Sequence, residues 1–274
     1  MTAASTPISA STRPSSPARL SVRLAIRDVF GVTRRNMLRI LRTPQMLLIS
    51  AVQPALLLVL FRYVLGGAIH IPGRSYVDYV VPAVFAEAVL IGGMTTSLSL
   101  AEDLKSGMID RFRSLPMARS AVLAGRTVAD LSRALLSLAI MVGLGLAVGF
   151  RFNASVLSIL GGLGVIVAFG YAFSWVYAAI GLATRDPESA QVAGILPFFV
   201  LMFASNAVVP IATMPSWLRG FATNQPFSIT ITAVRALFEG GAAAHDVWLS
   251  IAWSTGLVAV FFALALYLYR RSVQ

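Results

Sequence analysis

Six almost uncharged runs divide this chain, at about 46–66, 76–100, 128–149, 156–183, 190–209 and 247–269. A helix rises about 1.5 Å per residue, so about 20 apolar residues cross roughly 30 Å of hydrocarbon. Lipid offers the backbone no hydrogen-bond partner, so each run is expected to be helical. The pattern predicts an all-α integral membrane protein with six transmembrane helices.

Two further segments are neither spans nor simple loops. Residues 20–43, LSVRLAIRDVFGVTRRNMLRILRT, set Leu20, Leu24, the Val29/Phe30 pair and Leu41 against Arg27, Arg34 and Arg35. That spacing predicts an amphipathic helix lying on the membrane surface before the chain turns in at Thr43-Pro44. Residues 210–246 are interrupted by Pro210, Pro215 and Pro226, yet SWLRGFA and FSITITAVRALF are too apolar for a water-washed loop and too short to span. Short helices that dip back into the bilayer, or cap the protein at that face, are expected there. The glycines at 143, 145, 149, 161, 162 and 164 predict close helix approach.

Composition agrees with the pattern. The 274 residues are 57% hydrophobic and 12% charged with a mean hydropathy of +0.80, where a soluble domain carries about 25% charged residues. The net charge of +11 does not call for nucleic acid, because basic residues beside apolar spans set topology. Sixteen Arg and Lys fall before span one, after span two, after span four and at the C-terminus, against Arg74, Arg151, Arg219 and Arg235 on the other side. Both termini are therefore expected in the cytoplasm, and the skew to 21 Arg against the single Lys105 points to a bacterial genome, so the chain is expected in a bacterial inner membrane. Residues 1–19, rich in Ser, Thr, Pro and Ala, are expected to be a disordered cytoplasmic tail, leaving 20–274 as the membrane domain. There is no Cys, so disulfides and thiolate metal sites are excluded, and with two His, far apart, no His-based metal centre is expected.

One polar island interrupts the greasy chain: SGMIDRFRSLPMARS, residues 106–120. With Glu102, Asp103 and Lys105 before it, its charges alternate in sign. Met108, Phe112 and Leu115 form an apolar stripe at helical spacing. A topological loop needs only basic residues, so a short amphipathic helix showing its charges to a partner is the reading that uses all of them.

The same stretch, EDLKSGMIDRFRSLPMARSAVLAGRTVADL (102–131), resembles the loop of ABC-2-type export permeases, in particular the daunorubicin-resistance type. Shared features are the acidic end of span two, the acid-Arg-Phe-Arg run, the Leu-Pro-Met turn and the Gly-Arg before span three. The Arg-rich entry helix with RTPQ, and the segment MPSWLRGFATNQPFSITITAVRALFEGG, are also similar to that family. The resemblance implies a coupling helix that docks on a nucleotide-binding ATPase. Asp110, Arg111, Phe112, Arg113, Ser114, Leu115 and Pro116 would form the docking surface, with Glu102 and Asp103 on the adjoining helix end. It also implies a second permease chain, identical or paralogous, and an exported hydrophobic drug-like molecule or lipid, hence multidrug efflux or antibiotic resistance. The sole lysine, Lys105, follows no Gly-rich turn, so the chain holds no P-loop. No catalytic residue and no cofactor are expected on it; ATP and Mg would sit on the partner.

Inside the spans, Glu87 interrupts VPAVFAEAVLIGGM. A carboxylate at that depth is costly. It is either a polar element of the path and counter-charge for a cationic substrate, or a tie to a neighbour such as Thr95, Ser97 or Asn206. Asp130 and Arg133 are spaced to pair on one helix face. Phe198, Phe199, Met202 and Phe203 either line an apolar path or pack a helix. In the resembled family spans two and five face each other, which adds Phe85 to Glu87 and Phe199 as path candidates. The other reading is a proton-coupled secondary transporter using Glu87. An intramembrane enzyme would need convergent acids or a Ser/Lys pair at one depth, and none assembles.

Overall fold

The computed structural model describes residues 44–67, 71, 73, 75–106 and 119–271, and the regular structure among them is all helical. Helix α1 spans Pro44–Leu60 and continues through one π-helical turn, Phe61–Leu65. Three long helices follow: α2 (Tyr76–Lys105), α3 (Arg119–Ala147) and α4 (Val156–Thr184). Then come α5 (Pro187–Phe203), a 3-10 turn at Ile211–Thr213, α6 (Ser216–Asn224), α7 (Pro226–Glu239) and α8 (Ala244–Arg271). The tail at 1–19, the amphipathic segment 20–43 and residues 107–118 of the polar island lie outside the described residues.

Local chemistry sets the boundaries. Ser75 caps α2 by accepting from the Val77 N–H, and Ser155 caps α4 by accepting from Ser158. Pro187 and Pro226 open α5 and α7, where their missing N–H costs nothing. Gly240, at φ +76°, closes α7 in the left-handed region that glycine enters freely.

Among the described residues, four helices are long and apolar enough to cross a membrane: Tyr76–Lys105, Asp130–Ala147, Val156–Thr184 and Ala244–Tyr269. Val52–Val64 and Pro187–Phe203 are apolar but shorter. The fifth run, expected to reach residue 209, stops being helical at Phe203. The cause is local. Ser205 Oγ donates to the Met202 carbonyl at 2.6 Å and accepts from the Ala207 N–H at 3.1 Å, a side-chain turn that competes with the helix.

α2 is the centre of the bundle. From Tyr76 to Leu90 every residue except Asp78 is buried, and α4, α3, α5, α1 and α7 all pack on it. Its seam with α4 is close because glycine allows it. A Cβ at Gly170 would overlap the Val89 side chain, and one at Gly181 would overlap the Ser97 carbonyl oxygen. Of the glycines expected to serve this purpose, Gly145 and Gly162 do so, against Phe85 and Phe238, whereas Gly143 and Gly164 face open space. By contrast α8 exposes Trp248, Trp253, Val260 and Tyr267, and α5 exposes Val192, Leu196 and Phe203. Such apolar faces suit lipid, which is no less apolar than they are.

The bundle has two distinct ends. Lys105 and Asp186 meet at one, called lower here. At the other, upper, end the Asn153 N–H donates to the Phe238 carbonyl, joining the α3–α4 connection to the end of α7.

Candidate functional site

At the lower end, Glu102 is exposed and Asp103 half-buried on the last turn of α2. Lys105 Nζ lies 2.9 Å from Asp186 Oδ1. The other Asp186 oxygen accepts from the Ser189 N–H at 3.1 Å and so caps α5. One exposed ion pair thus joins the end of α2 to the start of α5. The hydrogen bonds from Lys105 and then from the Ser189 N–H hold the Asp186 carboxyl below its ordinary value. Asp110, Arg111, Phe112, Arg113, Ser114, Leu115 and Pro116 lie outside the described residues.

About nine residues above Lys105 along α2, the spacing of Asp130 and Arg133 on α3 has the expected result. Arg133 Nη2 is 2.6 Å from Asp130 Oδ1. Thr96 of α2 donates to Asp130 Oδ2 at 2.9 Å and accepts from Arg133 Nη2 at 3.3 Å. The pair is therefore a three-membered cross-tie between α3 and α2.

At the upper end a larger polar cluster surrounds the frayed end of α5. Arg235, on α7, is 5% exposed. It donates to the Tyr79 carbonyl at 2.7 Å, the Asn206 carbonyl at 2.9 Å and the Ala207 carbonyl at 3.0 Å. Its guanidinium carbon sits 3.5 Å from the Tyr79 ring centroid. The Tyr79 hydroxyl in turn donates to the Asn206 carbonyl at 2.8 Å. Arg235, counted from the sequence among the basic residues of the opposite side, is buried at this upper end and ties α7 to α2 and to the chain after α5. Only its place on the apolar segment FSITITAVRALF hinted at this.

The segment 210–246 holds short helices, as expected, and α7 inserts deeply. Phe227, near its start, stacks on Phe169 with centroids 5.9 Å apart. Phe169 lies thirteen residues into α4, about 20 Å below its upper end. At the tip between α6 and α7, Gln225 Nε2 donates to the Leu201 and Ala204 carbonyls at 2.9 and 3.1 Å. Non-helical backbone at such depth needs protein partners of this kind. Ser228 Oγ accepts from both the Gln225 amide and the Asn206 N–H, each at 3.2 Å. The leading half of the hairpin, α6, leaves Trp217 and Phe221 exposed.

The path candidates do not form one group. Phe85 is fully buried in an aromatic cluster with Phe150 and Phe238, on the side of α2 where Gly145 of α3 meets it. Phe198 is buried, while Phe199 and Phe203 are exposed with their rings stacked 5.6 Å apart. Glu87 is 2% exposed and its Oε1 has no hydrogen-bond partner. The ties considered for it have other occupations: Thr95 donates to the Gly92 carbonyl, Ser97 to the Ala190 carbonyl, and the Asn206 amide to Thr232. No cluster of three metal-ligating residues occurs among the described residues.

Known protein sequences match this chain along most of its length. Residues 27–238 match the family model described as "ABC-2 type transporter". The chain is 36% identical over 236 residues to the daunorubicin resistance ABC transporter permease protein DrrB1 of Streptomyces coeruleorubidus, covering 86% of this chain and 83% of the relative. It is 26% identical over 242 residues to the probable doxorubicin resistance ABC transporter permease protein DrrC of Mycobacterium tuberculosis H37Rv, 88% and 87% of the two chains. The probable multidrug ABC transporter permease YbhR of Escherichia coli K12 is 26% identical over 210 residues, 74% of this chain and 55% of the relative.

Proposed function

Because the chain belongs to the ABC-2 type transporter family as a permease, we propose that it is the membrane-spanning subunit of an ATP-driven exporter of hydrophobic, drug-like molecules. The observation that carries this is the match over residues 27–238 in a chain whose single lysine, Lys105, cannot belong to a P-loop. The engine is a separate ATPase carrying ATP and Mg. It docks below the bundle on Asp110, Arg111, Phe112, Arg113, Ser114, Leu115 and Pro116, beside Glu102 and Asp103.

In this reading α1 and α5 complete a set of six spans with α2, α3, α4 and α8. The lower end faces the cytoplasm of a bacterial cell, and both termini lie there. A second permease chain completes the translocation unit, with two-fold symmetry as the default arrangement. Movement of the docking segment reaches α2 directly and α5 through the Lys105–Asp186 bridge. Drug-resistance relatives favour a drug-like substrate over an envelope lipid.

The test is co-purification of the tagged chain from its native membrane in mild detergent, followed by an ATPase assay. A nucleotide-binding subunit should accompany the wild type and be lost from the Arg111→Glu, Arg113→Glu variant. Absence of ATPase from the wild type would make Glu87 and a proton gradient the next thing to test.

A further inference from the structure

Two helix ends are closed by a residue in the left-handed region, and the two closures differ. Gly240 ends α7 at φ +76°, where the missing Cβ removes the strain. Arg185 ends α4 at φ +55° and, among the described residues, is the one non-glycine with positive φ. Glycine would be the relaxed choice there. The strained conformation is held from both sides. The Arg185 N–H donates to the Gly181 carbonyl at 3.2 Å, and Gly181 packs on Ser97 of α2. On the other side Asp186 caps α5 and pairs with Lys105.

What a glycine could not supply here is a side chain. Arg185 is exposed and, among the described residues, its guanidinium makes no hydrogen bond or ion pair. It does not bind the last carbonyls of α4, as a cation stabilising a helix end would. Topology does not require it either, since a basic residue one turn away would set orientation without strain. A charge kept at a strained position and left free of the fold points to use by a partner.

The place of Arg185 identifies the partner. Helices α2 and α4, of 30 and 29 residues, each run about 45 Å, the thickness of a bilayer with its headgroups. The Lys105–Asp186 pair joins their lower ends, so the 184–189 turn stands at the water boundary beside Glu102 and Asp103. There Arg185 is followed by the exposed Glu188, and Glu102 is exposed across the bridge. Anionic lipid would be repelled by these acids, whereas a protein surface of mixed charge complements both signs. We infer that the turn between α4 and α5 is a second docking contact for the nucleotide-binding ATPase, with Arg185 meeting an acidic group of that subunit and Glu188 a basic one. This rests on the exporter reading and extends it. The ATPase grips α4 and α5 directly, on the far side of the Lys105–Asp186 bridge from the 110–116 segment.

Photo-cross-linking in the complex purified from native membrane tests the contact. Benzoylphenylalanine replaces Arg185, Glu188, Arg111 or Trp253, one at a time; Trp253 lies on the exposed face of α8. Positions 185 and 188 should cross-link to the ATPase subunit, as 111 should, and 253 should not. Arg185→Gly gives a second readout. It should leave the unfolding temperature unchanged or raised, because the left-handed turn relaxes. Yet it should raise the apparent Kd for the ATPase by about two- to fivefold, the range of one exposed ion pair. Arg185→Lys, which keeps the charge, should restore most of that loss. Cross-links from 185 and 188 to lipid alone, or undiminished ATPase binding by Arg185→Gly, would each overturn the assignment. If 111 cross-links to the ATPase while 185 and 188 do not, the second contact fails and the exporter reading stands. If no ATPase accompanies the wild type, both fail.

Discussion

Among the described residues, Arg133 on α3 and Arg235 on α7 both sit within the helical bundle, and they are satisfied in opposite ways. Arg133 has an anion three residues away on its own helix, Asp130, and a threonine of α2 completes the contact. Arg235 is held instead by the carbonyls of Tyr79, Asn206 and Ala207 and by an aromatic face. The first arrangement neutralises a charge and adds a cross-tie. The second uses a charge to tie backbone that has left α5 to a carbonyl of α2. Where α5 ends early and the chain rises beside α2, carbonyls without donors would face an apolar interior, and a planar guanidinium can serve several at once. A buried arginine is thus a counter-ion in one place and a fastener in the other.

The difference is open to direct attack. Arg235→Met should have the largest effect, since it takes a buried donor from three carbonyls at once and leaves Asn206 only the Tyr79 hydroxyl: about 3–5 kcal/mol, read as a large fall in the thermal unfolding temperature in detergent. Arg235→Lys should recover only part, because one ammonium cannot span the same acceptors. An Arg235→Met variant with near wild-type stability would show that the loop is held by something else. Next, Gln225→Leu frees the Leu201 and Ala204 carbonyls and should cost about 1–3 kcal/mol in the same assay. It should also loosen protection of amides near the end of α5, read by hydrogen exchange.

At Arg133 the expectation has a different signature. Arg133→Met removes the guanidinium 2.6 Å from the Asp130 carboxylate and should cost about 1–2 kcal/mol. Adding Asp130→Leu should restore most of the loss, because a neutral pair needs no partner. No second-site change of that kind should rescue Arg235→Met, whose partners are main-chain atoms.

The smallest effect belongs to the exposed bridge at the lower end. Lys105→Met should scarcely move the unfolding temperature, since both partners are solvated. What remains should follow the Asp186 proton. Its folded pKa is depressed, so the stabilisation is present above the unfolded carboxylate value and fades as pH falls through the folded one. The difference between wild type and Lys105→Met should therefore be flat near neutrality and vanish in acid, and diminish in high salt. If export coupling falls in this variant while stability holds, the bridge transmits motion and does little to hold the fold.

Much of this molecule was legible in the chain. The long apolar runs named α2, α3, α4 and α8 to within a few residues, because hydrophobic length in lipid admits no structure but a helix. The Asp130–Arg133 pair was legible because i, i+3 neighbours meet on any helix. Prolines at 210, 215 and 226 announced the broken segment before α8, and the helices found there are short. The early end of α5 was missed, since nothing in FVLMFASNAVV distinguishes a stop at Phe203 from a full span until Ser205 folds back on Met202. Gly170 and Gly181 were passed over for the more conspicuous cluster at 161–164, because which glycine meets a neighbour depends on the rotation of α4 against α2.

The sequence by itself determined the solvent of this protein, its helical class, its lack of a P-loop and the family it belongs to. Each of these is written in local composition, spacing or motif. Only the tertiary structure decided that α2 is the core, that the hairpin tip reaches the layer of Phe169, and that Arg235 lies inside. The partners of Arg235 lie 156, 29 and 28 residues away. No local period encodes such contacts; they exist once helices of known length have chosen their neighbours and left particular carbonyls in need of donors.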